Sequence, residues 1–98
     1  METSISMPEF YKKYQTETLS ILDVREAYEF ASGHVPTAQN LPLSSLEAGY
    51  KLLSQQEKYY VICQSGARSA AACQFLSAQG FDVTNVAGGM NIWPGEVE

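Results

Sequence analysis

The stretch Tyr59-Tyr60-Val61-Ile62-Cys63-Gln64-Ser65-Gly66-Ala67-Arg68-Ser69 constrains the fold more than any other part of this chain. A β-forming apolar run ends on a cysteine, crosses a short polar turn containing one glycine, and opens a helix. That order puts the thiol at the C-terminal edge of a sheet, where open α/β folds hold their ligands. Free backbone N–H groups and the positive end of a helix dipole then face the sulfur. Both stabilise a thiolate, which is the reactive form of cysteine. Cys63 is therefore the candidate nucleophile, and the remaining segments form the frame around its turn.

The frame reads as strands alternating with helices. Thr3-Ser4-Ile5 is a candidate edge strand. Ser6-Met7-Pro8-Glu9 has the pattern of a capping box with proline in the first turn, predicting a helix from Met7 to about Tyr14 that buries Phe10 with Tyr14 or Tyr11. Leu19 to Val24 is apolar enough for a strand buried on both faces. Arg25 to Ser32 reads as a helix packed through Ala27, Tyr28 and Phe30 and stopped by Gly33. A turn over Val35 to Ala38 leads to a short strand at Gln39-Asn40-Leu41, ended by Pro42. Ser44 with Glu47 predicts another helix, with Leu46, Leu52 and Leu53 on its apolar side and Gly49 dividing it into short pieces.

After the cysteine turn, Ser69 to Gln79 predicts a helix whose alanines permit close approach to the sheet, anchored by Phe75 and Leu76. Gly80 and Phe81 have the order of a Schellman ending, with Phe81 packing back on Leu76. Asp82 to Val86 is the last strand, followed by Gly88-Gly89 and a short turn or helix through Trp93. The fold class expected is α/β, a parallel sheet with helices on both faces.

Bulk properties set limits on function. A length of 98 residues predicts a single domain, 1–98, with a core of its own. A net charge of −5 with six basic residues argues against nucleic acid, which needs clustered Lys and Arg. No apolar run suits a membrane span, and the start lacks a basic-then-apolar secretion pattern. With one histidine and two separated cysteines, no structural zinc set exists and no metal or other cofactor is expected. Two cysteines without a signal suggest free thiols in a reducing cytoplasm, although the count alone leaves a Cys63–Cys73 disulfide open.

Three segments, taken together, resemble the rhodanese family of single-domain sulfurtransferases. They are Leu22-Asp23-Val24-Arg25-Glu26 with Tyr28-Glu29-Phe30 and Gly33-His34-Val35-Pro36; Cys63 through Ser69; and Asn85-Val86-Ala87-Gly88-Gly89-Met90 with Trp93. They occur in the family's order and spacing across nearly the whole chain. The resemblance implies a five-stranded parallel sheet, and a sulfane sulfur carried on Cys63 as a persulfide. It implies a donor such as thiosulfate or a protein persulfide, and an acceptor such as cyanide, a thiol or a sulfur-carrier protein. A monomer is the favoured expectation, with the oligomeric state open. The alternative is a non-catalytic binding or relay module that docks to a partner through the same cleft.

Sulfur transfer needs an ionised thiol and a seat for a charged Cys–S–S⁻ group, so no general base is required. The N–H groups of Gln64, Ser65, Gly66, Ala67, Arg68 and Ser69 are placed to converge on the outer sulfur, with Gly66 permitting the curl of an anion-binding nest. Arg68 would add a fixed charge and a planar fork for an oxyanion donor. Only Gln64 to Ala67 separate Cys63 from Arg68. By resemblance, that ring fits a single sulfur atom, whereas cysteine phosphatases use a longer turn for a tetrahedral phosphate.

Gln64 stands where many family members carry arginine, leaving the mouth one positive charge short for a dianion such as thiosulfate. Thr37 stands where glycine is frequent. Asp23 and Arg25 read chiefly as supports of the strand end, with Arg25 a secondary candidate for facing the site. His34, Cys73, Met90 and Trp93 read as structural, and Gly88-Gly89 as a close approach of backbone to the cysteine turn.

Overall fold

The computed structural model describes residues 3–98. Among them, strands β1 (Thr3–Ile5), β2 (Ser20–Asp23), β3 (Gln39–Asn40), β4 (Lys58–Ile62) and β5 (Asp82–Val86) form one sheet in the order β1-β5-β4-β2-β3. Every neighbouring pair is parallel. The middle strand is β4, the one that leads into Cys63. Its residues alternate between two cores, as the period of two requires. Tyr59, Val61 and Cys63 join Leu22, Val24, Leu76 and Val83 on one face. Tyr60 and Ile62 join Ile5, Phe10, Ile21 and Val86 on the other.

The helices are α1 (Met7–Thr16), α2 (Ala27–Ala31), α3 (Leu46–Gly49) and α4 (Ala67–Ala78). Helix α1 starts as its sequence dictates: the Ser6 hydroxyl accepts the Glu9 N–H, and Phe10 is fully buried. Phe10 packs against Trp93, which also meets Tyr11 and Tyr14 edge-on, so both tyrosines line this side. At the end of α4 the Phe81 N–H donates to the Leu76 carbonyl and the Gly80 N–H to that of Ser77, completing the Schellman pattern.

Three expectations are corrected. Helix α2 has no buried residue, and Tyr28 is 77% exposed instead of packed. This short helix is held by its ends: Glu29 accepts the Glu26 N–H in a capping box, and the Phe30 ring stacks on His34. Ser44 does not cap a helix, because a 3-10 turn over Leu43–Ser45 comes first, and its hydroxyl donates to Glu26 Oε1 at 2.7 Å. Leu52 is 89% exposed while Leu53 is buried. The segment breaks after Gly49 into a second 3-10 turn, Tyr50–Leu52, and the change of helical pitch rotates Leu52 outward.

Candidate active site

Cys63 follows the last residue of β4 and lies at the C-terminal edge of the sheet. The turn after it is fastened from two directions. The Cys63 carbonyl accepts the Met90 N–H and the Gln64 carbonyl accepts the Asn91 N–H, both at 2.9 Å, so the turn after β5 braces the cysteine turn. A Cβ on Gly89 would overlap the Cys63 carbonyl oxygen, so only glycine lets the two backbones meet. Gly66 has φ +105°, which glycine tolerates, and this bends the chain into α4.

The residue Cys63 has no exposed surface, yet its sulfur is surrounded by donors and not by apolar groups alone. The Gly66 N–H donates to Sγ at 3.1 Å, and the Ser69 hydroxyl lies 3.3 Å away. Burial pushes the Cys63 thiol up; the Ser69 hydroxyl and the N–H groups of Ser69, Gly66 and Ser65 outweigh it and bring the thiol below its ordinary value. Ser65, Gly66 and Ser69 address the sulfur, while Ala67 N–H turns to the Ser65 hydroxyl. Cys63 is not in a disulfide, and Cys73 is buried in α4.

The two arginines are occupied. Arg25 and Asp23 are both buried, and the Arg25 Nε and Nη2 grip the Asp23 carboxylate at 2.8–3.2 Å. Arg25 Nη2 also donates to the Gly33 carbonyl, and Nη1 reaches Gln64 Oε1 at 3.3 Å. One prong of Arg25 thus extends from the Asp23 pair to the residue next to Cys63. Gln64 passes the link on, since its Nε2 donates to Asn91 Oδ1 at 2.8 Å. Arg68 closes its fork on Glu29 at 2.6 and 2.9 Å. That contact holds the Glu29 carboxyl down at about 2 and raises Arg68. The anion that explains an arginine in the first turn of a helix is supplied by the chain itself.

Two contributors went unrecognised as site residues in the sequence. Glu29 fixes Arg68, and Asn85 on β5 reaches both Ser69 and the Gly66 carbonyl. Asn85 carried a signal: asparagine is depleted in strands, and here it sits near the end of one beside β4. His34 Nδ1 donates to the Phe30 carbonyl at 2.8 Å, and Trp93 Nε1 donates to the Glu96 carbonyl.

The rhodanese-like domain profile matches residues 6–96. The chain belongs to the rhodanese-like domain family. The putative sulfurtransferase YtwF of Bacillus subtilis is 39% identical over 82 residues, covering 84% of this chain and 80% of that protein. The putative sulfur carrier protein YrkF of the same organism is 40% identical over 96 residues, and the chain spans 52% of its length. Among solved structures, a rhodanese-related protein of Thermoplasma volcanium superposes with a TM-score of 0.90 at 36% identity, covering 98% of this chain and 97% of that one. The chain shares the rhodanese-like fold, the five-stranded parallel architecture described above.

Proposed function

We propose that this rhodanese domain moves a sulfane sulfur from a donor to a nucleophilic acceptor through a persulfide on Cys63. The observation that carries the reading is the set of groups placed to donate to an anionic sulfur, Gly66 N–H at 3.1 Å and, once the thiol is ionised, the Ser69 hydroxyl at 3.3 Å, which lower the thiol. Hydrogen bonds to charged groups contribute about 1.5–3 kcal/mol each, so two or three offset the burial of an anionic sulfur. Membership of a family with named sulfurtransferases supports the reaction class.

The cycle has two displacements. The Cys63 thiolate attacks the outer sulfur of a donor persulfide, R–S–SH. A new S–S bond forms at Cys63, the old one breaks, and its electron pair leaves with R–S⁻. An acceptor thiolate or cyanide then attacks the outer sulfur on Cys63, and the bonding pair returns to Sγ. No oxidant or reductant is consumed. Two residues of the turn favour a thiol-borne or protein-borne donor over thiosulfate: Gln64 is neutral, and the Arg68 charge is answered by Glu29. A thiol that must stay reduced fits a cytoplasmic setting.

The test is steady-state transfer to cyanide from a panel of donors. A low-molecular-weight persulfide should give a higher kcat/KM than thiosulfate, and Cys63→Ser should abolish both. Retained turnover in the serine variant rules the reading out. Absence of turnover with every donor, together with specific capture of a sulfur-pathway protein, would favour the relay module instead.

A further inference from the structure

The Ser69 hydroxyl lies between two partners and carries one proton. Its oxygen is 3.3 Å from Cys63 Sγ and 2.5 Å from Asn85 Oδ1, on a side chain with no exposed surface. The far end of the Asn85 amide settles which way that group faces. Its Nδ2 donates to the Gly66 carbonyl at 3.3 Å, and a carbonyl oxygen only accepts. Oδ1 therefore faces Ser69, and it too can only accept. Two oxygens approach this closely with a proton between them, so the Ser69 proton points at Asn85. The contact between Ser69 and Cys63 is then filled from the sulfur side, by the S–H of a neutral thiol.

We propose that Asn85 is a positioning residue that holds the Ser69 proton away from Cys63 while the sulfur is neutral and yields it when the sulfur becomes a thiolate. In the neutral state the chain runs from Sγ–H to Ser69 Oγ, and from Oγ–H to Asn85 Oδ1. When the thiol proton has left to solvent, rotation about the Ser69 Cβ–Oγ bond turns the hydroxyl proton onto Sγ. No heavy-atom bond changes, and Asn85 Oδ1 gives up its hydrogen bond at that moment. Asn85 thus competes with the thiolate for one proton, and Cys63 ionises less readily than its loop alone would make it.

Such a brake has a use in sulfur exchange. The nucleophilicity of a thiolate falls as its pKa falls, and the best attacking thiol has a pKa near the ambient pH. This benefit to turnover rests on the transferase reading; the ionisation of Cys63 does not. The charged groups around the turn are Arg68 from α4 with its partner Glu29 from α2, and the Arg25–Asp23 pair at the end of β2. Among the described residues, β1 and the 3-10 turn Gly89–Ile92 bring no ionisable side chain, and the charged residues of β4 and β5, Lys58 and Asp82, pair in register at the opposite sheet edge.

The experiment is alkylation of Cys63 against pH, read on its own peptide by mass spectrometry so that Cys73 does not contribute. Asn85→Ala and the near-isosteric Asn85→Leu are compared with native protein, each also in a Ser69→Ala background, with folding checked by thermal melting. Releasing the hydroxyl should lower the midpoint by roughly half to one pH unit. Loss of Ser69 should raise it, and Asn85→Ala should add no shift once Ser69 is gone. A residue that merely braces the loop would give the opposite sign, since a loosened loop loses donors. An unchanged or raised midpoint in a folded Asn85 variant overturns the proposal, as does a downward shift that survives in Ser69→Ala. Native protein supplies an arm free of substitutions: the Asn85 side-chain carbonyl carbon resonance should titrate with Cys63, and a flat response overturns the proposal. Failure of sulfur transfer leaves all these readouts standing.

Discussion

Arg68 and Glu29 meet fork to fork, Nη1 to Oε1 at 2.6 Å and Nη2 to Oε2 at 2.9 Å, and so tie α2 to the first turn of α4. Sequence spacing alone placed Arg68 as a charge waiting for an oxyanion. The contact instead makes it a clamp whose charge is largely answered within the chain.

The clamp has a pH signature. Glu29 ionises at about 2 in the folded protein against an ordinary value of 4.5. Between those two values the unfolded chain binds more protons than the folded one, so stability is lost as pH falls through that window and is fully present above it. Glu29→Gln should flatten melting temperature against pH there, and cost about 1 kcal/mol or less at neutral pH, since the pair is partly solvated. An unchanged acid limb would show that the pair contributes nothing.

A charge restored at the mouth should change donor preference. Gln64→Arg places a cation beside the sulfur turn, at the loss of the bonds from Arg25 Nη1 and to Asn91. Thiosulfate kcat/KM should rise several-fold, with a gain that shrinks in added salt, while a neutral persulfide donor gains little. Equal effects on both donors would remove electrostatics as the cause.

The bracing turn should matter without touching sulfur. Gly89→Ala forces a methyl into the Cys63 carbonyl, and separating the two backbones breaks the bonds from Met90 and Asn91. A loss of roughly 2 kcal/mol or more is expected, read by denaturant unfolding, together with a raised alkylation midpoint at Cys63. A stable variant with an unaltered midpoint would mean that the turn tolerates a shift.

Much of this was legible because local rules and global fold agree. Ser6 with Glu9, Gly80 with Phe81, and the apolar runs of β2 and β4 each specify their own geometry. What escaped depended on contacts far apart in sequence. Glu29 and Arg68 are 39 residues apart and Ser69 and Asn85 are 16 apart, so nothing nearby announces either pair. Tyr28 and Leu52 were misplaced for other reasons: Tyr28 lies on a five-residue helix that buries none of its side chains, and at Leu52 a 3-10 turn changes the pitch and turns the side chain to solvent. Thr37, the one non-glycine residue with positive φ among those described, at +75°, shows why glycine is frequent there in the family: its turn needs left-handed backbone.

The most direct measurement is intact mass after exposure to a sulfane donor. Native protein should gain the mass of one sulfur atom, lose it on treatment with cyanide, and localise it to the Cys63 peptide, while Cys63→Ser gains nothing. Sulfur appearing on the serine variant, or native protein that takes up none from any donor, would contradict the account.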